Sequence, residues 1–195
     1  CYDSTGSCPK TQYYRNKLEF TFSSKRWLLK GEDLDSVPEN DRMGLGFHVG
    51  KFFDKVLDIR HCYLQKDPSN DIRLFVKKYA VDNGLDFFDI RQNVGYVRNM
   101  FVRTTDTGDL MVIMCFFYEN REDREKMLDA IANAFPQITS LYYIINNKLN
   151  DSIGDQECIL YKGEPTIRET MEELTFRIGP KSFYQTNSGQ AYKLY

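Results

Sequence analysis

Residues 110–118 form an unbroken run of nine apolar side chains, and this run constrains the chain more than any other feature. A second β-rich stretch, residues 97–104, precedes it across Asp106-Thr107-Gly108. The glycine can supply the backbone angle that a tight reversal needs, so residues 97–104 and 109–118 read as a hairpin. A strand without a polar side must be covered on both faces. The sequence therefore predicts an interior strand with a layer packed against each side of its sheet. The run falls well short of the roughly 20 residues that a membrane-spanning helix needs, so no membrane association is expected.

The flanking segments supply those layers. Residues 14–23 alternate, with Leu18, Phe20 and Phe22 on one side and Lys17, Glu19 and Thr21 on the other, the pattern of a half-buried strand. Residues 43–49 and 55–64 read as further short strands. Asp67 as cap and Pro68 at the first helical position open a helix. Its apolar stripe is Ile72, Phe75, Val76, Tyr79 and Ala80, and Gly84 stops it. Asn120 caps a second helix carrying Met127, Leu128, Ile131, Ala134 and Phe135, which Pro136 ends. Residues 140–145, 157–162, 166–170 and 174–178 read as strands. With no repeat and only one clear loop, the acidic residues 30–42, the expectation is a single α+β unit over residues 1–195. Its sheet should be mostly antiparallel, with two main helices packed on it. The chain opens on Cys1 and stops in an incipient helix, residues 189–195, so it is expected to be a piece of a longer protein.

Charge is distributed unevenly. The net charge is −2, which argues against a strongly basic nucleic-acid binder. Yet residues 10–30 hold six Lys and Arg against Glu19 alone, whereas residues 31–41 hold five acids and no base. Such asymmetry suits either a basic face or ordinary solvated strand and helix surfaces. The five cysteines are odd in number and include no Cys-x-x-Cys, which fits a reducing, cytoplasmic compartment.

Several chemistries are excluded by their missing motifs. There is no phosphate-binding Gly-x-x-x-x-Gly-Lys-Ser/Thr and no Gly-x-Ser-x-Gly elbow, and Gly44, Gly46 and Gly50 are misspaced for a dinucleotide loop. The chain has two histidines, and His48 beside Phe47 suits a packed or surface position better than a general base. One polar constellation stands out: Phe183-Tyr184-Gln185-Thr186-Asn187, between an apolar strand and a helix. Aromatic rings beside side-chain amides suit a flat heterocycle, stacking on it and reading its donors and acceptors. The same residues also suit a plain loop in which the rings are core and the amides cap the helix.

The segment Phe176-Arg-Ile-Gly-Pro-Lys-Ser-Phe-Tyr-Gln-Thr-Asn-Ser-Gly-Gln-Ala-Tyr-Lys-Leu-Tyr195 closely resembles the RNA (uracil-5-)-methyltransferase family, whose members carry Phe-x-Gln-x-Asn just before their methyltransferase domain. Tyr14-Arg-Asn-Lys-Leu-Glu-Phe20 agrees, as do Gly46-Phe-His-Val-Gly50, Val56-Leu-Asp-Ile-Arg-His-Cys62 and Arg98-Asn99. The pattern looks most like the branch that methylates 23S ribosomal RNA. The resemblance implies the central α+β domain of an S-adenosylmethionine-dependent transferase. It implies too that the N-terminal β-barrel and the C-terminal Rossmann-like methyltransferase domain are absent from this chain. In family order the cysteine nucleophile, the general base and the cofactor loop lie beyond Tyr195, so no catalytic residue is expected here and the piece alone should be inactive.

Three groups of residues follow from the resemblance. Gln185, supported by Phe183 and Asn187, would contact cofactor or flipped base. Arg15, Lys17 and Arg98 would face ribosomal RNA. Cys62 would be the fourth ligand of a [4Fe–4S] cluster in the parent protein, with Tyr63 standing where the family has Pro. The Cys-x6-Cys pair Cys1 and Cys8 does not fit the family's upstream Cys-x5-Cys-x2-Cys run, so this chain alone is expected to hold no cluster. The alternative is a stand-alone RNA- or protein-binding module that uses the same fold without chemistry.

Overall fold

A computed structural model describes residues 10–33 and 35–194. Seven strands form one sheet in the order β3-β2-β1-β4-β5-β6-β7. They are β1 (Lys17–Ser23), β2 (Gly44–Val49), β3 (Phe52–Leu57), β4 (Val97–Thr104), β5 (Leu110–Phe116), β6 (Ser140–Ile145) and β7 (Ile159–Gly163). The β5–β6 pair is parallel and every other pair in this sheet is antiparallel. A separate hairpin joins β8 (Ile167–Met171) to β9 (Leu174–Ile178). The helices are a single turn α1 (Glu39–Arg42), then α2 (Ser69–Asp82), α3 (Arg121–Ala134) and α4 (Ser188–Leu194). No helix among the described residues is long and apolar enough to cross a membrane.

The apolar run is the interior strand that its composition demands. All seven residues of β5 are buried, and its hairpin with β4 turns through Gly108 at φ +91°. Its side chains alternate between two cores. Leu110, Val112, Met114 and Phe116 meet Leu18, Phe20 and Phe22 of β1, Ile72, Val76 and Ala80 of α2, and Met127, Leu128 and Ile131 of α3. On the opposite face Met111, Ile113 and Cys115 join Phe101, Tyr142 and Ile144 under Ile167 and Ile178 of the β8–β9 hairpin. The hairpin thus closes part of the second face, and the two large helices close the first.

Several boundaries differ from the sequence expectation, and three of the differences have a hydrogen-bonding reason. The strand read over residues 55–64 is instead Phe52–Leu57. Its ladder ends where the Asp58 carboxylate accepts the Leu45 amide at 3.0 Å, and the Ile59 and Arg60 carbonyls then turn toward the guanidinium of Arg73. The first strand starts at Lys17 rather than residue 14, because the amides of Tyr13 and Arg15 donate to the carbonyls of Tyr63 and Leu64. Asp67 does not cap α2; Pro68 occupies the cap position, and the Asp67 carboxylate accepts instead from the Asn70 side chain at 2.9 Å. Asn120 does cap α3, accepting from the Asp123 amide at 3.3 Å.

Candidate functional site

The loop between β9 and α4, residues 179–187, carries the aromatic-amide constellation. It begins in a tight turn: the Ser182 amide donates to the Gly179 carbonyl at 3.2 Å, and the Gly179 amide donates back to Ser182 Oγ at 3.0 Å. Pro180 sets the backbone angle that such a turn needs at its second position. Beyond the turn the side chains alternate. Phe183 points outward and is 84% exposed, whereas Tyr184 packs against Phe176, with ring centroids 5.9 Å apart, and against the second core. One aromatic anchors the loop, and the other is presented.

Gln185 is half-buried. Its backbone carbonyl accepts from Asn16 Nδ2 at 2.7 Å, while no hydrogen bond ties its side-chain amide to another described residue. Asn187 has the capping role that the plain-loop reading gave to the amides. Its Oδ1 accepts the Gln190 amide at 3.1 Å, and its carbonyl accepts the Ala191 amide at 2.9 Å, starting α4. Its side chain therefore helps fix where the loop ends.

A cleft of about 140 Å³ lies beside this loop. Arg15, Asn187, Lys10, Lys66 and Glu169 are among its walls, so the fold brings Arg15 to the Gln185 loop from 170 residues away. Lys66 pairs with Asp106 at 3.0 Å. Glu169 is almost wholly buried, and burial pushes its carboxyl pKa up. It accepts from the Asp106 and Thr170 amides, each at 3.2 Å, and from Ser188 Oγ at 3.5 Å. Lys17, two residues after Arg15 and the first residue of β1, has its ammonium 5.8 Å from the centre of the Phe101 ring. Desolvation, and then the neighbouring Arg103, lower the Lys17 pKa.

Two expected site residues have other surroundings. Arg98 is completely buried. Its Nη1 donates to the carbonyls of Asn146 at 2.8 Å and Lys148 at 2.6 Å, its Nε and Nη2 reach Asp151 Oδ1 at 3.1 and 3.0 Å, and its plane covers the Phe88 ring at 4.4 Å. A guanidinium so enclosed is directed at the 146–151 loop, a setting that suits loop anchoring. Cys62 is buried in the helix-side core, with its amide donating to Asn70 Oδ1 at 2.7 Å. Among the described residues no group of three His, Cys, Asp or Glu side chains is placed to hold a metal. Cys1 and Cys8 lie outside the described residues.

Sequence reasoning passed over three residues that build the site: Asn16, Arg103 and Glu169. Asn16 sits inside the motif Tyr14-Arg-Asn-Lys, and Arg103 is the last residue but one of a β-rich run, but nothing local marks either as a partner of residues 179–188.

No protein-family model matches the chain. Among curated proteins, it is 56% identical over 192 residues to an uncharacterized RNA methyltransferase of Porphyromonas gingivalis, covering 95% of this chain and 41% of that protein. A second, from Bacteroides thetaiotaomicron, is 50% identical over 189 residues, covering 95% and 42%. Over nearly all of its own length the chain is thus homologous to part of these proteins named RNA methyltransferases. A further protein of that name, from Chlorobaculum tepidum, is 33% identical over 193 residues, covering 97% of this chain and 40% of that protein. Among solved structures, the tRNA (uracil-54, C5)-methyltransferase of Pyrococcus abyssi in complex with S-adenosyl-L-homocysteine superposes with a TM-score of 0.69 at 25% identity, over 95% of this chain and 40% of that one. The chain thus spans about two fifths of the length of these methyltransferases.

Proposed function

We propose that this chain is the central domain of an S-adenosylmethionine-dependent uracil-C5 methyltransferase of 23S ribosomal RNA that works in the cytoplasm. In this reading it forms one wall of the active site and part of the RNA-binding surface. The β-barrel, the Rossmann-like catalytic domain, the nucleophile and the general base belong to other parts of the parent protein. The carrying observation is Gln185: its backbone is held by Asn16, its amide bonds to no other described residue, and two positions earlier in the loop the Phe183 ring is exposed. An amide offers one acceptor and two donors, which can read the edge of a flipped pyrimidine or the polar groups of a cofactor. Phe183 supplies a face on which an unstacked base can rest.

Similarity to proteins named RNA methyltransferases and the complex of the Pyrococcus enzyme with S-adenosyl-L-homocysteine support the cofactor assignment. The residues present fit one edge of such a site, through Gln185 and Phe183. S-adenosylmethionine, when bound, supplies the methyl group. Arg15 and Lys17 contribute positive potential, which phosphates seek without regard to sequence. A [4Fe–4S] centre needs four thiolates as a rule. Cys62 is one thiol in an apolar setting, so a cluster here would draw its other ligands from outside the described residues.

The test is Gln185→Ala in the full-length protein, assayed for methyl transfer to unmodified 23S rRNA and, in parallel, to unmodified tRNA. Turnover on rRNA is expected to fall about 100-fold, the scale seen when one positioned hydrogen-bonding group is removed from an active site. RNA affinity should stay within about twofold, because it comes from many phosphate contacts. Wild-type turnover in this variant would refute the role of Gln185, and methylation of tRNA alone would refute the rRNA assignment.

A further inference from the structure

The Gln185 loop is clamped at two points by side chains rooted in neighbouring strands of the main sheet. Arg103, next to the last residue of β4, is 5% exposed. Its Nη2 donates to the Ser182 carbonyl at 2.7 Å and its Nη1 to the Gly179 carbonyl at 3.3 Å. Asn16, immediately before β1, holds the other end. Its Nδ2 donates to the Gln185 carbonyl at 2.7 Å and to Ser188 Oγ at 2.9 Å, and its amide donates to the Thr186 carbonyl at 2.8 Å. The two clamps are themselves linked, since the Thr104 amide donates to the Asn16 carbonyl at 2.9 Å.

We propose that Arg103 and Asn16 are positioning residues, which fix the 179–188 backbone so that the Gln185 amide is presented in one orientation. The inference rests on the reading of Gln185 given above. Arg103 suits this task and little else. It is buried, yet burial alone accounts for the lowering of its pKa, with no carboxylate contributing. A cation kept in such a place without an acid is expensive unless polar groups replace its water; here the loop carbonyls do so at Nη1 and Nη2, while Nε has no partner among the described residues. Carbonyls at positions 179 and 182 lie under separate arms of one planar fork, which a lysine could not span. Asn16 then secures the carbonyl of Gln185 itself. With both ends held, only Phe183 and Tyr184 lie between the clamps, and Tyr184 is packed inward. The loop is therefore set by the sheet before any ligand arrives, and a side chain so held loses little entropy on binding.

The experiment uses the full-length protein with Arg103→Met, Arg103→Lys and Asn16→Asp, the last removing both side-chain donors at constant size. Amide hydrogen exchange is read separately for residues 180–188 and for β4 and β5. Kinetics are read as kcat and as KM for rRNA. The expected result is exchange about tenfold faster in residues 180–188 for Arg103→Met and Asn16→Asp, with β4 and β5 unchanged. Turnover should fall about tenfold or more while KM shifts less than about twofold, because a displaced group costs rate rather than phosphate contacts. Arg103→Lys should recover turnover only in part. Unchanged loop exchange in both Arg103→Met and Asn16→Asp overturns the clamp. A rise in KM with kcat intact also overturns it, since that would make these residues RNA contacts. Faster loop exchange with undiminished turnover upholds the clamp but refutes the role of Gln185 in the reaction, so the two readings fail separately. Exchange that rises equally in β4 and β5 would mark a general loss of stability and overturn a positioning role.

Discussion

Replacing Arg98 with Met decides whether that side chain faces RNA or holds the protein together. Met keeps the length and the apolar contact with Phe88 but deletes every donor. Two carbonyls, those of Asn146 and Lys148, then lose a partner, and Asp151 loses its ion pair. A buried acceptor left unpaired costs about 1–3 kcal/mol, and breaking a buried ion pair about 3–5 kcal/mol. Those values shrink here, because the Asp151 side chain is 29% exposed and Leu149 within the same loop is 75% exposed, so water can reach the abandoned groups. The net cost should be about 2–4 kcal/mol, a large share of the roughly 5–15 kcal/mol that holds a typical domain. For a chain of this size it lowers Tm by about 5–15 °C. Urea titration followed by circular dichroism measures the change, and 0.5 M salt should alter it little, since a buried pair is poorly screened at about that ionic strength. Asp151→Asn should cost less than Arg98→Met, because the partially exposed partner is removed and Arg98 keeps both carbonyls. RNA affinity of the folded variant should match wild type. A loss below about 1 kcal/mol together with weakened RNA binding would refute the anchoring role.

Three further outcomes are expected. Arg15→Glu with Lys17→Glu should weaken rRNA-fragment binding and reduce the slope of log affinity against log salt by about one unit per lost phosphate contact; unchanged titrations would mean that these cations are only solvated. Glu19 has its pKa pushed up to about 7, by desolvation first and then by Asp151, although solvent reaching its exposed surface screens part of this. The folded state thus binds the proton more tightly than the unfolded state, whose value is 4.5, so this contribution is complete below pH 4.5 and is lost as pH rises through about 7. Relative to wild type, Glu19→Gln should gain stability toward pH 8, about one unit above that value, and a pH-independent difference in urea midpoints would contradict it. Gly46→Ala would place a methyl 2.0 Å from the Leu57 carbonyl oxygen, so β2 and β3 must separate; thermal unfolding should fall by several degrees, while Gly50→Ala, with nothing within 4 Å, should not repeat the effect.

Much of the architecture was legible along the chain because it is written in short periods. The seven-residue strand β5 could only be interior, since it has no polar side to give to water. The stripes of α2 and α3 and the alternation of β1 announce which faces are buried for the same reason: burial follows side-chain direction, and direction repeats with the backbone. The Gln185 loop was visible as an unusual cluster of rings and amides, and the family resemblance drew attention to it.

What the linear sequence could not decide is which polar group meets which carbonyl. Arg98, Arg103 and Arg15 look alike as letters, each a long cation near an apolar stretch. Tertiary structure gives them three fates: Arg98 enclosed by the 146–151 loop, Arg103 beneath the 179–182 turn, and Arg15 on the wall of a cleft. The partners of Arg103 lie 76 and 79 residues away, and Asn16 reaches Gln185 across 169 residues. Hydrophobic burial is nondirectional and tolerates many neighbours, so pattern alone predicts it. A hydrogen bond needs one donor and one acceptor within about 3 Å and in line, a condition that exists only once the whole chain has been placed.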